Sequence, residues 1–171
     1  MSEHIKTDWF GTPDERLWFN EPIPDGPWLD EPHHLFFTDR ETGYECRLRR
    51  NPSYAWCGYV EVPNNHPLFK QPWNKLNYHL DCHGGVTFWG YPSNTLSLAF
   101  GDENTWWVGF DCSHGGDLSP ISTLSIKLSD QIYRNLEYAQ SQVKRLCTRL
   151  KELENKPLPP MPSDDDDEDE E

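Results

Sequence analysis

Residues 129–154 carry the clearest helical pattern in this sequence, and that pattern limits the folds open to the chain. Apolar side chains recur there in steps of three and four, at Ile132, Leu136, Ala139, Val143, Leu146, Leu150 and Leu153. The spacing places them on one face of a helix, with Ser129 or Asp130 as the expected N-cap and Pro157 as the stop. An amphipathic helix must bury its apolar face, so we expect it to close one face of a sheet.

The residues before this helix, 34–112, have the pattern of short β-strands. Runs rich in aromatic and β-branched residues alternate there with Gly, Pro, Asn and Asp, which form turns. The candidate strands are residues 34–38, 44–49, 56–62, 76–82, 86–91, 96–100 and 105–112. We therefore predict an α+β fold, with a bent, mostly antiparallel sheet, an irregular N-terminal arm and one long C-terminal helix. Residues 1–156 are expected to form a single domain that is mainly β over 34–128.

The two ends of the chain differ from this central part in composition. Residues 1–33 contain five prolines, which exclude long regular elements, and three tryptophans, which are too apolar to stay in water. An irregular arm that packs across the domain through its indole rings is expected. Residues 157–171 are Pro-rich and then purely acidic, a composition typical of a disordered tail. Such a tail keeps a protein soluble or binds a basic partner.

The charge and cysteine content exclude several functional classes. Net charge is −14, and eight of the 29 acidic side chains lie in residues 164–171, so the rest of the chain carries −6. That charge argues against direct binding to nucleic acid or to an anionic membrane. No apolar stretch approaches the ~20 residues of a transmembrane helix, and the first residues lack a signal-peptide pattern. The five cysteines have no regular framework, which favours reduced thiols in a cytoplasmic protein.

A short sequence pattern occurs twice. Asp-Cys-His-Gly-Gly at residues 81–85 is echoed by Asp-Cys-Ser-His-Gly-Gly-Asp at residues 111–117. Both copies lie where a predicted strand runs into a glycine turn, so they are expected to present similar side chains at two strand ends. The pairs Gly84-Gly85 and Gly115-Gly116 offer backbone N–H groups to an anion. A simple hairpin turn explains the first pair equally well.

Strand alternation separates the packing residues of these segments from the chemical ones, because successive residues of a strand face opposite sides. Cys82 and Cys112 fall on the apolar side of their predicted strands and are interpreted as small buried residues. The candidate chemical residues are those on the polar side and in the following loop: Asp81, His83, Asp111, His114 and Asp117.

Two kinds of chemistry fit this set. Imidazoles and carboxylates bind Zn, Mn or non-haem Fe, which gives His83, Asp111, His114 and Asp117 as expected metal ligands. Without a metal, an Asp orients a His that transfers a proton, which gives His83, His114 and Asp111 as expected catalytic residues. In both cases Asp81 is expected to support the others from outside the site.

Aromatic and basic residues of the predicted sheet add a possible ligand-binding surface. Trp107 shares a strand face with Asp111 and is expected to line a pocket beside it, unless it is core. Arg47 and Arg49, with Arg50, form the basic cluster of the sheet region and are expected to hold a phosphate, unless they are a solvated strand edge.

Several motifs follow one another in a recognisable order. They are Gly26-Pro27-Trp28, Glu31-Pro32, Thr42-Gly43, Cys57-Gly58-Tyr59-Val60, His66-Pro67, His83-Gly84-Gly85 and Trp107-x-Gly109-Phe110-Asp111-Cys112-x-His114-x-x-Asp117. Over residues 25–145 the chain resembles an uncharacterised family of small proteins encoded by tailed bacteriophages, prophages and bacteria. The resemblance includes a closing helix with Tyr133 near its start. It implies a phage or bacterial cytoplasmic setting and no particular activity.

Two functions remain open on the sequence. The first is a small cytoplasmic hydrolase that uses the His and Asp set, with or without a divalent metal. The second is a phage binding protein without turnover, which sequesters a nucleotide-like host signal or inhibits a host defence protein. In the second case Arg47 or Arg49 and the glycine turns hold phosphate, and Trp107 stacks on a base.

Overall fold

The computed structural model describes residues 17–18, 21–92, 104–121 and 130–162. Its strands are β1 (Leu17–Trp18), β2 (Glu21–Pro22), β3 (His34–Thr38), β4 (Glu45–Arg50), β5 (Trp56–Glu61), β6 (Phe88–Gly90) and β7 (Trp107–Asp111). Its helices are α1 (Trp73–His79) and α2 (Leu136–Leu153), with a 3-10 helix at Pro27–Asp30. Within this described part, no helix combines the length and apolarity needed to cross a membrane.

Strands β3 to β7 form one antiparallel sheet in the order β3-β4-β5-β7-β6. The central register pairs Leu48 of β4 with Gly58 of β5, and Gly58 with Phe110 of β7. Strands β1 and β2 form a separate antiparallel pair in the N-terminal arm. The predicted α+β fold, with its antiparallel sheet and long C-terminal helix, is confirmed.

Helix α2 covers one face of this sheet, as its apolar pattern predicts. Its buried residues are Ala139, Gln142, Val143, Leu146, Cys147, Leu150 and Leu153. Gly58 allows the close approach of helix and sheet, because a Cβ there would lie 2.6 Å from both Val143 Cγ2 and Phe110 Cζ. We refer to the opposite face, which carries the alternate strand residues, as the second face of the sheet.

The predicted strand over residues 76–82 is wrong, because residues 73–79 form helix α1. Leu76 and Leu80 are both buried, and their spacing of four suits one face of a helix as well as it suits alternation. Alternation also required Tyr78 to face inward with them, whereas Tyr78 is 50% exposed. The positions of Leu76 and Leu80 therefore agree with the period of a strand and with that of a helix. The exposure of Tyr78 agrees with the helix alone.

The start of the long helix is also later than predicted. Helix α2 begins at Leu136, and its N-cap is Asn135, whose side chain accepts a hydrogen bond from the Tyr138 backbone N–H. Before it, Ile132 makes an isolated parallel bridge to Asp117. The proposed cap Ser129, the predicted strand 96–100, and residues 1–16 and 163–171 lie outside the described residues.

The described part of the N-terminal arm is irregular and anchored by indole rings, as predicted. Trp28 is buried, donates to the Pro24 carbonyl at 2.8 Å and packs edge-on against Tyr133. Trp18 donates to the Asn51 carbonyl at 2.7 Å. These two contacts fasten the arm to the connection before α2 and to the loop between β4 and β5.

A buried ion pair joins this arm to the sheet. The Arg50 side chain is fully buried, and its Nη2 lies 3.2 Å from Glu31 Oε1. The guanidinium lies over the rings of Tyr54 and Trp56, at 4.2 and 3.8 Å from their centroids. It also donates to the Tyr54 carbonyl at 3.1 Å. Arg50, predicted with Arg47 and Arg49 as a phosphate-binding or solvated cluster, is thus part of the core.

The same carboxylate holds the beginning of α2. Glu31 accepts hydrogen bonds from the Tyr133 hydroxyl and from the Leu136 backbone N–H, and Tyr133 also accepts from Arg50 Nη1 at 2.7 Å. A carboxylate at this position satisfies a free N–H of the first helical turn and complements the helix dipole. One side chain therefore binds the arm, the sheet and the helix together.

Replacing this carboxylate should destabilise the fold strongly. In Glu31→Ala the buried Arg50 loses its counter-ion, so the free energy of unfolding should fall by about 3–5 kcal/mol. The matched control is Glu152→Ala, which removes the exposed partner of Arg149 and should change it by less than about 1 kcal/mol. Urea unfolding measures both variants, and equal losses would contradict the role given to Glu31.

Candidate functional site

The two His-Gly-Gly segments meet in space. His83 lies beyond the end of α1, and His114 lies in the turn after β7. Their imidazole rings are edge to face, with centroids 5.6 Å apart. Gly84 packs against His114, since a Cβ there would lie 2.4 Å from His114 Cε1. The echo in the sequence thus marks one site, although only the second segment follows a strand.

Asp117 lies at the centre of this site. Its side chain is 2% exposed, and Ile132 fixes its backbone through the isolated bridge described above. Three donors surround the carboxylate: His83 Nε2 at 2.7 Å and the His114 backbone N–H at 3.0 Å bind Oδ2, and Arg134 Nε at 3.0 Å binds Oδ1.

These donors keep Asp117 charged. Burial alone would raise the pKa of this carboxyl, but the hydrogen bonds from His83, Arg134 and the His114 backbone outweigh it. The pKa of Asp117 therefore lies below its ordinary value of 3.8. At neutral pH the site therefore contains a buried carboxylate in direct hydrogen-bond contact with the His83 imidazole.

The other nitrogen of His83 contacts Tyr138, a residue that sequence reasoning missed. The Tyr138 hydroxyl lies 2.7 Å from His83 Nδ1. Because the ionised Asp117 can only accept, a neutral His83 carries its proton on Nε2 and accepts from the Tyr138 hydroxyl at Nδ1. Arg134 lies over the Tyr138 ring, with Cζ 4.9 Å from the centroid. The only signal for this contact in the sequence was the spacing of four residues between Arg134 and Tyr138, which places them on one face of the predicted helix.

His114 has an unsatisfied ring nitrogen that faces two carboxylates. Its Nδ1 is buried and has no hydrogen-bond partner among the described residues. It lies 3.6 Å from Asp111 Oδ1 and 3.8 Å from Asp117 Oδ2. Asp111 Oδ1 also accepts from the Ser113 backbone N–H at 3.0 Å, which orients it. A buried nitrogen of this kind calls for a missing partner.

Three of the four predicted metal ligands form a group of metal-binding dimensions. One ligand atom each from His83, His114 and Asp117 lie within 4.8 Å of one another. The fourth, Asp111, adjoins this group through His114. A metal–ligand bond is ~2.1 Å long, so one ion can lie between His114 Nδ1 and either carboxylate oxygen, which are 3.6 and 3.8 Å from it. His83 could join them only by giving up its hydrogen bond to Asp117.

Other predicted residues lie elsewhere or serve packing. Asp81 is exposed and pairs with Arg145 on the outer side of α2, away from the His and Asp cluster. Cys82 and Cys112 are buried, as predicted. Burial raises the pKa of Cys82 to about 12 and that of Cys112 further, so neither is a ready nucleophile. Gly116, like Gly84 and Gly85, has a left-handed φ and shapes its turn.

The predicted ligand-binding residues of the strands lie on the second face of the sheet. Trp107 is 1% exposed and packs with Cys57 and Tyr59. Its ring is therefore core and has no free face to stack on a base. Arg47 lies over this ring, with Cζ 5.2 Å from the centroid, and Arg49 neighbours Cys57 in the sheet register.

Among known proteins, no protein-family model, no curated protein and no solved structure matches this chain.

A pair of glycine variants tests whether the two segments depend on each other. Gly84→Ala places a methyl group against His114 and forces alanine into a left-handed φ of +68°, so it should cost about 2 kcal/mol or more of unfolding free energy. The His114 imidazole resonances should shift in its NMR spectrum. Gly115→Ala is the matched control, because nothing lies within 4 Å of its Cβ position. Unchanged His114 resonances in Gly84→Ala would contradict the packing.

Proposed function

We propose that this protein is a small hydrolase in which Tyr138, His83 and Asp117 form an acid–base relay. The observation that supports this most strongly is the pair of 2.7 Å contacts that His83 makes, through Nε2 to Asp117 and through Nδ1 to Tyr138. A buried carboxylate, an imidazole and a hydroxyl stand in sequence. This is the arrangement by which a carboxylate orients a histidine that activates a hydroxyl group.

The relay moves one proton between two oxygen-bearing groups. The Tyr138 hydroxyl gives its proton to His83 Nδ1, and the resulting imidazolium is stabilised by Asp117 through Nε2–H. The Tyr138 oxygen then takes a proton from an attacking water molecule. Tyr138 then donates this proton to the leaving group and regains one from the His83 imidazolium, which restores the relay. Arg134 stabilises both the Asp117 carboxylate, through a 3.0 Å hydrogen bond, and the negative charge that develops beside it on Tyr138.

A divalent metal is a second element of this proposal, supported by a separate observation. The buried Nδ1 of His114 has two carboxylate oxygens at 3.6 and 3.8 Å and no hydrogen bond within the described part of the chain. His114, Asp111 and Asp117 would hold the ion, and Zn, Mn or Fe suits this mixture of imidazole and carboxylate. When bound, the ion would supply an activated water molecule.

The proposed setting is the cytoplasm of a bacterium or of a phage-infected cell. The order of motifs from Gly26-Pro27-Trp28 to Asp117 and its resemblance to phage and prophage proteins support this setting. A binding protein without turnover is the alternative, and the relay distinguishes the two functions. A sequestering protein needs no acid–base relay, whereas the turnover rate of a hydrolase falls when one residue of the relay is replaced.

Tyr138→Phe should therefore reduce turnover with little effect on folding. The variant keeps the ring under Arg134 and removes only the hydroxyl that contacts His83. On a panel of ester, phosphoester and amide substrates, we expect kcat to fall by about 100-fold or more. Tyr78→Phe, which alters an exposed tyrosine, should keep full activity. Equal activity in Tyr138→Phe and wild type would contradict the relay, and a wild type inactive on the whole panel would favour sequestration.

Elemental analysis tests the metal separately. Wild-type protein purified without chelator should contain stoichiometric Zn, Mn or Fe, and His114→Ala and Asp111→Asn should each lose it. Asp81→Asn should keep it, because this exposed carboxylate pairs with Arg145 outside the cluster. A folded wild type without metal would rule out this element of the proposal and leave the relay standing.

A further inference from the structure

Three residues that line up across the second face connect the site to β4. The register pairs Arg49 of β4 with Cys57 of β5, and Cys57 with Asp111 of β7. Directly opposed residues of a sheet share a face, and adjacent strands lie ~4.8 Å apart. Arg49 is thus two strand spacings from Asp111, whose Oδ1 is 3.6 Å from His114. The row ends in the His and Asp cluster.

Charges at both ends of this row act on the thiol between them. The pKa of Cys57 is raised to about 12, mainly by burial and in part by the Asp111 carboxylate, while Arg49 acts in the opposite direction. Arg49 also acts in this way on the neighbouring Tyr59. The guanidinium therefore lies near both side chains rather than extending away from the sheet.

No ion pair to Arg49 is formed among the described residues. Its side chain is half-buried, and its Nη1 is buried without a hydrogen-bond partner in residues 17–18, 21–92, 104–121 and 130–162. Its neighbour in the chain, Arg50, also has one unsatisfied nitrogen, Nε, but it is paired with Glu31 and lies over two aromatic rings. A guanidinium that has no such counter-ion within the described part of the chain is open to an anion from outside.

Arg47 is a second donor on the same face, two residues from Arg49. Its guanidinium lies over two rings, with Cζ 4.9 Å from the Phe36 centroid and 5.2 Å from that of Trp107. Nη1 donates to the Cys46 carbonyl at 2.9 Å and lies 3.4 Å from the exposed Glu45 carboxylate, while Nε is buried without a partner among the described residues. Stacking fixes this side chain, and a fixed guanidinium loses little freedom on binding an oxyanion.

We propose that Arg49, assisted by Arg47, binds an oxyanion of the substrate, a phosphate or a carboxylate. This inference rests on the proposed hydrolase and names its substrate class: small anionic molecules whose charged group lies over Arg49 and whose reacting bond lies beyond Cys57, at His114 and His83. The acidic chain, at −14, repels polyanions, so a compact anion rather than a nucleic acid fits this pair of donors.

The test is an NMR titration of the full-length protein with inorganic phosphate, at constant ionic strength set by chloride. Wild type should show saturable shifts in β4 and β5 backbone amides. Arg49→Gln should weaken binding by about tenfold or more, because a charge-assisted hydrogen bond is lost. Arg49→Lys should retain part of the affinity, because it keeps the positive charge, and it serves as the conservative variant at this position. Arg145→Gln, on the outer side of α2, is the matched control and should bind as wild type.

Each outcome decides for or against the subsite. Saturable binding that Arg49→Gln weakens and Arg145→Gln preserves establishes it, and a parallel titration with acetate shows whether it prefers phosphate or carboxylate. No saturable shift with either anion, or equal binding in Arg49→Gln and wild type, overturns it. Tyr138→Phe should bind phosphate normally. Failure of the relay and failure of the subsite therefore give different results, because the titration requires no turnover.

Discussion

The buried ion pair between Glu31 and Arg50 is the interaction on which the rest of the structure depends. Glu31 comes from the arm, Arg50 from the end of β4, and the same carboxylate accepts a hydrogen bond from the Leu136 backbone N–H at the start of α2. Removing two charges from water is expensive, and the expense is offset only when each is paired and hydrogen-bonded. Here the guanidinium also lies over the rings of Tyr54 and Trp56, so one buried charge joins three parts of the chain.

This constraint also positions the candidate site. The segment that Glu31 holds, from Tyr133 to Leu136, contains Arg134, and Tyr138 follows in the first turn of α2. Arg134 and Tyr138 supply two of the contacts around Asp117 and His83. The geometry of the candidate site therefore depends on an ion pair outside it, and a change at Glu31 should displace Arg134 and Tyr138.

Local patterns in the sequence were sufficient for much of the sheet, for α2 and for the location of the site. Strands β3, β4, β5 and β7 lie in runs rich in aromatic and apolar residues that turn residues separate, and the repeated His-Gly-Gly pattern marks the residues that meet. Local patterns failed where the apolar residues agreed equally well with a strand and with a helix, as at Leu76 and Leu80. They also failed where a partner is distant: Tyr138 is 55 residues from His83, and Glu31 is 19 from Arg50. No spacing rule reports such pairs, because the fold alone brings them together.

The two faces of the sheet give three neighbouring arginines of β4 different surroundings. Arg50 points toward α2, where burial is complete and a counter-ion is obligatory, and Glu31 supplies it. Arg47 and Arg49 point to the second face, where both side chains are only half-buried. Alternation alone separates them, since residues 47 and 49 share one face and residue 50 the other. The strand thus carries the same guanidinium group in two settings: Arg50 is paired inside the core, and Arg49 lies on the row that leads to Asp111 and His114, where we propose the anion subsite.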